Sequence, residues 1–244
     1  MSSLEEPASE GIFVLDTLAD GAPGARQATM GHRVFRAIKK AIVRGQLVPG
    51  HPISEAELAR QLGVSRQPVR EAFIKLSEMG LVEIRPQRGT FVQLISRREV
   101  ENARFIREAI EVAVARRAAE VANGESVRPL FALVEEQDAC GDRPDQGRFL
   151  ALDDALHRAI ALLADCEHAW RVVEDLKVQM DRVRFLAISD ATPVDTIVAQ
   201  HRDMVTAIAR NDPDAAADAV RTHMREILNS LPVVAASNRD VFVP

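Results

Sequence analysis

The stretch Ile53–Phe73, ISEAELARQLGVSRQPVREAF, decides how the first part of this chain folds. It reads as two short helices joined by a tight turn. Ser54 and Glu57 form the S-x-x-E pattern of a capping box, which starts a helix at Ser54. Leu58 and Leu62 share its inner face, and Gly63 stops it. Ser65 is then a second N-cap, with Pro68 in the following first turn, where a missing N–H leaves no bond unmade. Val69, Phe73 and Leu76 continue as an apolar stripe at helical spacing. Arg66, Gln67 and Arg70 point the other way. A helix whose exposed first turns carry guanidinium and amide groups suits the major groove of DNA.

The flanks complete a module. Residues 30–45 form a helix with Val34, Ile38, Ala41 and Ile42 as its core stripe, and Gly45 and Pro49-Gly50 lead the chain into the two-helix unit. Beyond Met79-Gly80, Leu81–Arg85 and Thr90–Leu94 alternate like strands, with Pro86–Gly89 as the hairpin between them. Arg88 at its tip is placed to reach a phosphate or the minor groove. Three helices and a basic two-stranded wing make a winged helix-turn-helix over residues 30–95. Residues 1–29, with Pro7, Pro23 and three glycines, read as a flexible arm in which GIFVL (Gly11–Leu15) is a weak candidate strand.

The net charge of −5 argues against nucleic acid, but its distribution does not. Met30–Ile95 holds eleven Lys or Arg against five acids, residues 1–29 one against five, and Ser96 onward 19 against 26. Phosphate attraction is local and screened within about 10 Å, so the basic segment suffices to bind DNA. The amino terminus, MSSLEEPASE, lacks the basic and apolar regions of a secretory signal, and the longest apolar runs, such as Ile160–Ala164, are far too short to span a membrane. With only two cysteines, Cys140 and Cys166, no disulfide framework is implied; a cytoplasmic location is expected.

From Ser96 onward no strand pattern occurs. Six helical segments are expected at roughly 96–121, 125–139, 145–164, 168–189, 193–210 and 213–231, giving an all-α domain over 96–232 and a tail at 233–244. The informative residues are ionisable groups on apolar stripes. Asp153 and His157 lie four apart on the face defined by Phe149, Leu156, Ile160 and Leu163. His201 sits among Ile197, Val198, Val205 and Ile208, and His223 among Val220, Met224, Ile227 and Leu231. A single histidine in such a place is more often a hydrogen-bonded core residue than a ligand. One divalent cation, however, would satisfy one buried carboxylate and three imidazoles together; three His and one Asp suit Zn²⁺, with Ni²⁺ or Mn²⁺ as alternatives. His32, His51 and His168 lie near helix ends and receive no role. Asp181, Arg182 and Arg184 are candidates for lining the bundle cavity, with a solvated face the equal alternative for Arg182.

The run GQLVPGHPISEAELARQLGVSRQPVREAFIKLSEMGLVEIRPQRGTFV (Gly45–Val92) resembles the DNA-binding domain of the GntR family of bacterial transcription regulators. The resemblance implies that Arg66, Gln67 and Arg70 approach bases and phosphates and that Gly89 lies against the minor groove. The expected DNA-binding set is Ser65, Arg66, Gln67, Pro68 and Arg70 on the helix, with Arg88, Gly89 and Thr90 on the wing. Ala56 departs from the arginine that many members carry between the two glutamates of the first helix. The bundle resembles the FCD effector domain of the FadR subfamily, in which D-x-x-x-H and two later histidines bind a metal. These correspond to Asp153, His157, His201 and His223. RFIREAIE (Arg104–Glu111) is similar to the family's opening signature at Arg107 and Glu111, which places Arg107 inward. Leu156, in place of a usual Phe, and Asp165-Cys166-Glu167, in place of a small-small-Asn turn, depart from the pattern.

The expected function is a homodimeric, ligand-responsive regulator of double-stranded operator DNA. Its effector is a small organic acid held by the metal with Arg107 and Arg184. A purely structural metal with no effector is one alternative, and a metal-dependent hydrolase is another. Against the hydrolase, the chain has no H-E-x-x-H, nucleophile elbow or phosphate loop.

Overall fold

The computed structural model describes residues 29–141, 144–187 and 191–244. The expected arm, including GIFVL, lies outside the described residues except for Thr29. The described chain divides into two units, one ending at Val92 and the other spanning Gln93–Pro244.

In the first unit, α1 (Met30–Val43) begins where the Thr29 hydroxyl accepts the His32 N–H at 3.3 Å. α2 (Glu55–Leu62) begins where the Ser54 hydroxyl accepts the Glu57 N–H at 3.4 Å. Only half of the expected capping box forms, because the Glu57 carboxylate takes hydrogen bonds from Arg60 and Gln61 instead. Gly63, at φ +65°, ends α2 in the left-handed conformation that glycine adopts without a Cβ penalty. α3 (Arg66–Glu78) follows; Ser65 occupies its cap position but makes no side-chain capping bond. Val34, Ile38, Leu58, Leu62, Val69, Phe73 and Leu76 are buried as the unit's core.

Three strands complete the unit: β1 (Pro52–Ile53) lies between α1 and α2, and β2 (Val82–Arg85) and β3 (Gly89–Val92) follow α3 as the expected wing. The sheet is antiparallel in the order β1-β3-β2, with Arg85 opposite Gly89 and Ile53 opposite Thr90. The sequence pattern gives no sign of β1: two residues, one of them proline, cannot show a period of two.

The second unit is helical: α4 (Arg97–Val121), α5 (Arg128–Asp138), α6 (Gln146–Leu163), α7 (Glu167–Leu176), α8 (Val178–Ala187), α9 (Val194–Ala209) and α10 (Pro213–Ser237). The structure differs from the expected segments in two places. The expected fourth helix is two, α7 and α8. They meet at Lys177, whose buried ammonium pairs with Asp154 (2.9 Å) and Asp181. α10 also runs through Pro232 to Ser237, so the expected tail at 233–244 is helical in its first part. A proline inside a helix costs a hydrogen bond, but Leu231, Val234 and Ala235 stay buried on the same face and carry the helix onward.

Two apolar clusters fill this unit. One joins α4, α5, α6, α9 and α10 through residues such as Val114, Phe149, Leu156, Met204 and Ile208. The other joins Ile95, Met180, Val183, Ile227, Leu231 and Phe242. Ile95 also pairs with Phe242 in a short parallel bridge.

Candidate functional site

Three helices bring the four expected ligands to one point. α6 supplies Asp153 and His157, α9 His201 and α10 His223; all four are buried, and their donor atoms lie within 4.8 Å of one another. The Nε2 atoms of His157 and His201 are 3.3 and 3.4 Å from His223 Nε2, and His201 Nε2 is 3.5 Å from Asp153 Oδ1.

The outward nitrogens fix the chemistry of the inward ones. His157 Nδ1 lies 2.6 Å from Glu111 Oε2, His201 Nδ1 2.6 Å from Gln137 Oε1, and His223 Nδ1 3.1 Å from Gln200 Oε1. Each of these oxygens accepts, so each Nδ1 carries the proton and donates. The three Nε2 atoms are then left with lone pairs that converge on one point. Burial first, then the neighbouring imidazoles, holds His223 well below its ordinary pKa; burial, helped by His157 and Arg184, outweighs the attraction of Asp153 and lowers His201 to about 3. Neutral imidazoles are the form that binds metal.

Asp153 is the counterpart. Burial opposes its ionisation, but the Arg184 guanidinium holds its carboxyl well below the usual range. Arg184 Nη2 approaches Asp153 Oδ1 to 2.5 Å off the hydrogen-bonding direction, so neither carboxylate oxygen accepts a hydrogen bond. A fully buried carboxylate that is ion-paired yet accepts no aligned hydrogen bond, facing three imidazole lone pairs, is a donor set that fits a divalent cation.

Beside this cluster lies a cavity of about 50 Å³, lined among others by Arg107, Arg184, Thr192, His223, Glu226 and Ser230. Arg107 Nε donates to Glu111 Oε1 at 2.6 Å, so the arginine facing the cavity and the carboxylate behind His157 form one pair. Burial opposes the charge on Glu111, but Arg107 and His157 together bring its pKa down to about 2. Arg182 lies in neither expected place. It is buried, not solvated, and faces away from the cavity onto the Gln93 carbonyl, because two residues along a helix turn it about 200° from Arg184.

On the first unit, Ser65, Arg66, Gln67, Arg70, Arg88 and Gly89 are exposed, and Pro68 is half-buried. Arg70 donates to both Glu55 oxygens, at 3.2 and 3.0 Å, and Gln67 to Glu71 at 3.0 Å. These pairs hold the first turns of α3 while leaving their donors at the surface. Thr90 departs from the expected set. It is buried, because the alternation of β3 turns Thr90 and Val92 inward on either side of Phe91.

Comparison with known proteins matches this two-unit arrangement. Residues 31–92 match the family of bacterial regulatory proteins, gntR family, and residues 103–226 match the FCD domain. The chain belongs to the GntR family, with an FCD domain. It is 40% identical to the HTH-type transcriptional repressor RspR of Escherichia coli (strain K12) over 87% of this chain and 93% of that protein. It is 33% identical to a probable D-xylose utilization operon transcriptional repressor of Paenarthrobacter nicotinovorans, over 88% and 93%. The solved structure of E. coli McbR/YncC shares the fold, with a TM-score of 0.72 at 20% identity, covering 86% of this chain and 99% of that one. This GntR-family chain is therefore a bacterial transcription regulator with a helix-turn-helix DNA-binding module, and its relatives are regulators rather than enzymes. No helix among its described residues is long and apolar enough to cross a membrane.

Within the FCD domain, sequence reasoning passed over Gln137 and Gln200, the two amides behind His201 and His223. Gln137 gives a signal of the same kind as the histidines. It follows Leu130 and Val134 at helical spacing on a buried face, so it is a polar group on an apolar stripe.

Proposed function

We propose that this regulator holds a divalent transition metal, Zn²⁺ in the first instance, at Asp153, His157, His201 and His223. Ni²⁺ and Mn²⁺ are the alternatives. A small organic acid binds in the neighbouring cavity and changes operator affinity. The carrying observation is the convergence of three imidazole lone pairs on a buried carboxylate whose oxygens accept no hydrogen bond. The ion would supply a positive charge beside Arg107 and Arg184, and a carboxylate gains from such a charge and from guanidinium forks. A cavity of about 50 Å³ favours a short acid, with Thr192, Glu226 and Ser230 available to its hydroxyls.

In this reading residues 30–95 read the operator through Arg66, Gln67, Arg70 and the wing at Arg88 and Gly89. Residues 96–232 sense the acid. Two chains act as a homodimer on half-sites about 10 bp apart, in the cytoplasm. Repression is the expected direction, by similarity to the two named repressors. A hundredfold change in operator affinity requires the acid to distinguish two arrangements by about 2.7 kcal/mol.

The test combines metal content by mass spectrometry with thermal shifts against a panel of hydroxy, dicarboxylic and sugar acids, with and without chelator. Operator binding is followed by fluorescence anisotropy. The expected result is one metal per chain and an acid that stabilises the protein only when the metal is bound. Bound metal without a response to any acid would leave a structural ion; turnover of an acid would favour the hydrolase.

A further inference from the structure

Arg182 is a buried cation facing no carboxylate among the described residues. It is 2% exposed, and burial lowers its pKa only to about 10, so it stays charged at neutral pH. Nη2 donates to the Gln93 carbonyl at 2.5 Å and Nη1 to Gln179 Oε1 at 3.1 Å, while Nε has no acceptor. An apolar side chain of similar size would be cheaper to bury. What the guanidinium secures is one backbone carbonyl, and its position explains the choice. Gln93 is the first residue of the helical unit and follows β3 directly at Val92.

The same short segment is held from its other end. Ile95 N–H donates to the Val241 carbonyl at 2.8 Å, and Val243 N–H donates to the Ile95 carbonyl at 2.9 Å. The Ile95 side chain packs in one cluster with Met180 and Val183 of α8 and with Phe242. Meanwhile α8 presents Met180, Arg184 and Ala187 to the cavity and places Arg184 on Asp153. One ten-residue helix thus touches both the cavity and the connecting segment, Met180 taking part in each.

We infer that α8 is a lever joining the Asp153 centre and its cavity to Gln93–Ile95, with Arg182 as the positioning residue at its far side. The inference rests on the metal reading given under Proposed function. Zn²⁺ at Asp153 competes with Arg184 for one carboxylate. The resulting shift of α8 reaches Gln93 through the Arg182 guanidinium.

Amide hydrogen exchange of the full chain, read by mass spectrometry over residues 93–95, tests this with Zn²⁺ alone as the probe. In the parent, Zn²⁺ should change exchange there by about fivefold or more, a size typical of a shifted local opening equilibrium. In Arg182→Met, which removes a buried charge and is expected to fold, the Zn²⁺ stoichiometry should be unchanged and the exchange response lost. A response that persists in Arg182→Met, or a parent that binds Zn²⁺ with no change at 93–95, overturns the lever. If Zn²⁺ does not bind, the metal reading fails instead, and the lever is judged without it. Arg184→Lys should then alter exchange at 93–95 in the parent background but not beside Arg182→Met. Additive effects of the two substitutions would overturn it.

Discussion

The two units place their charges in opposite ways. In the winged unit Arg66, Arg70, Arg85 and Arg88 are exposed, and Arg70 and Arg85 pair with Glu55 and Glu83 at the surface. In the bundle Arg107, Glu111, Asp153, Lys177 and Asp181 are buried. A surface ion pair contributes about 0–1 kcal/mol, whereas a buried ion costs several unless it is matched. The first arrangement leaves charge available to something outside the chain. The second locks charges to one another around a cavity, where anything that enters must rearrange them.

Asp153→Ala is the harshest challenge to this contrast. It removes the carboxylate that half-buried Arg184 approaches to 2.5 Å and leaves it Asp181 at 3.3 Å, so unfolding free energy in denaturant melts should fall by about 3 kcal/mol. A loss below about 1 kcal/mol would mean that the bundle's charges are not mutually locked.

Arg70→Ala should show the reverse profile. Its pair with Glu55 is exposed, so the denaturant midpoint should stay where it is in the parent. Operator affinity should fall about a hundredfold, about 2.7 kcal/mol, in anisotropy titrations. Retained specific binding would remove α3 as the reading element.

Acid sharpens the comparison by a smaller amount. Burial lowers His201 to about 3 in the folded chain, from an ordinary value of 6.5. Between those values the unfolded chain takes up a proton that the folded chain refuses, so stability falls as pH drops from 6.5 toward 3. In chelator-treated protein this group alone should remove about 2 kcal/mol by pH 5. His201→Gln should show a shallower decline between pH 7 and pH 5, and a slope equal to the parent's would contradict the assignment.

How far the sequence could be read depended on which physical rule governed each residue. Leu58, Leu62, Val69 and Phe73 follow one period, and Gly63 punctuates it, so the reading helix was plain. Asp153, His157, His201 and His223 stood out because titratable groups on apolar stripes need partners. Gln137 stands on such a stripe too, but an uncharged amide raises no alarm. Arg182 was ambiguous because its use is tertiary: only the fold brings Gln93 beneath it, 89 residues away in sequence. Pro232 misled for a related reason, since local helix-breaking was outweighed by burial of Leu231 and Val234 on the far side of the bend-prone position.

The bridge between Ile95 and Phe242 has a consequence for biosynthesis. The strand partner of the segment that follows the wing is synthesised only after α4 to α10. While the chain is nascent, the winged unit has all of its own core residues, yet the junction behind it lacks the contacts at Val241–Val243. The junction at Ile95 is therefore completed later in synthesis than the core of the winged unit.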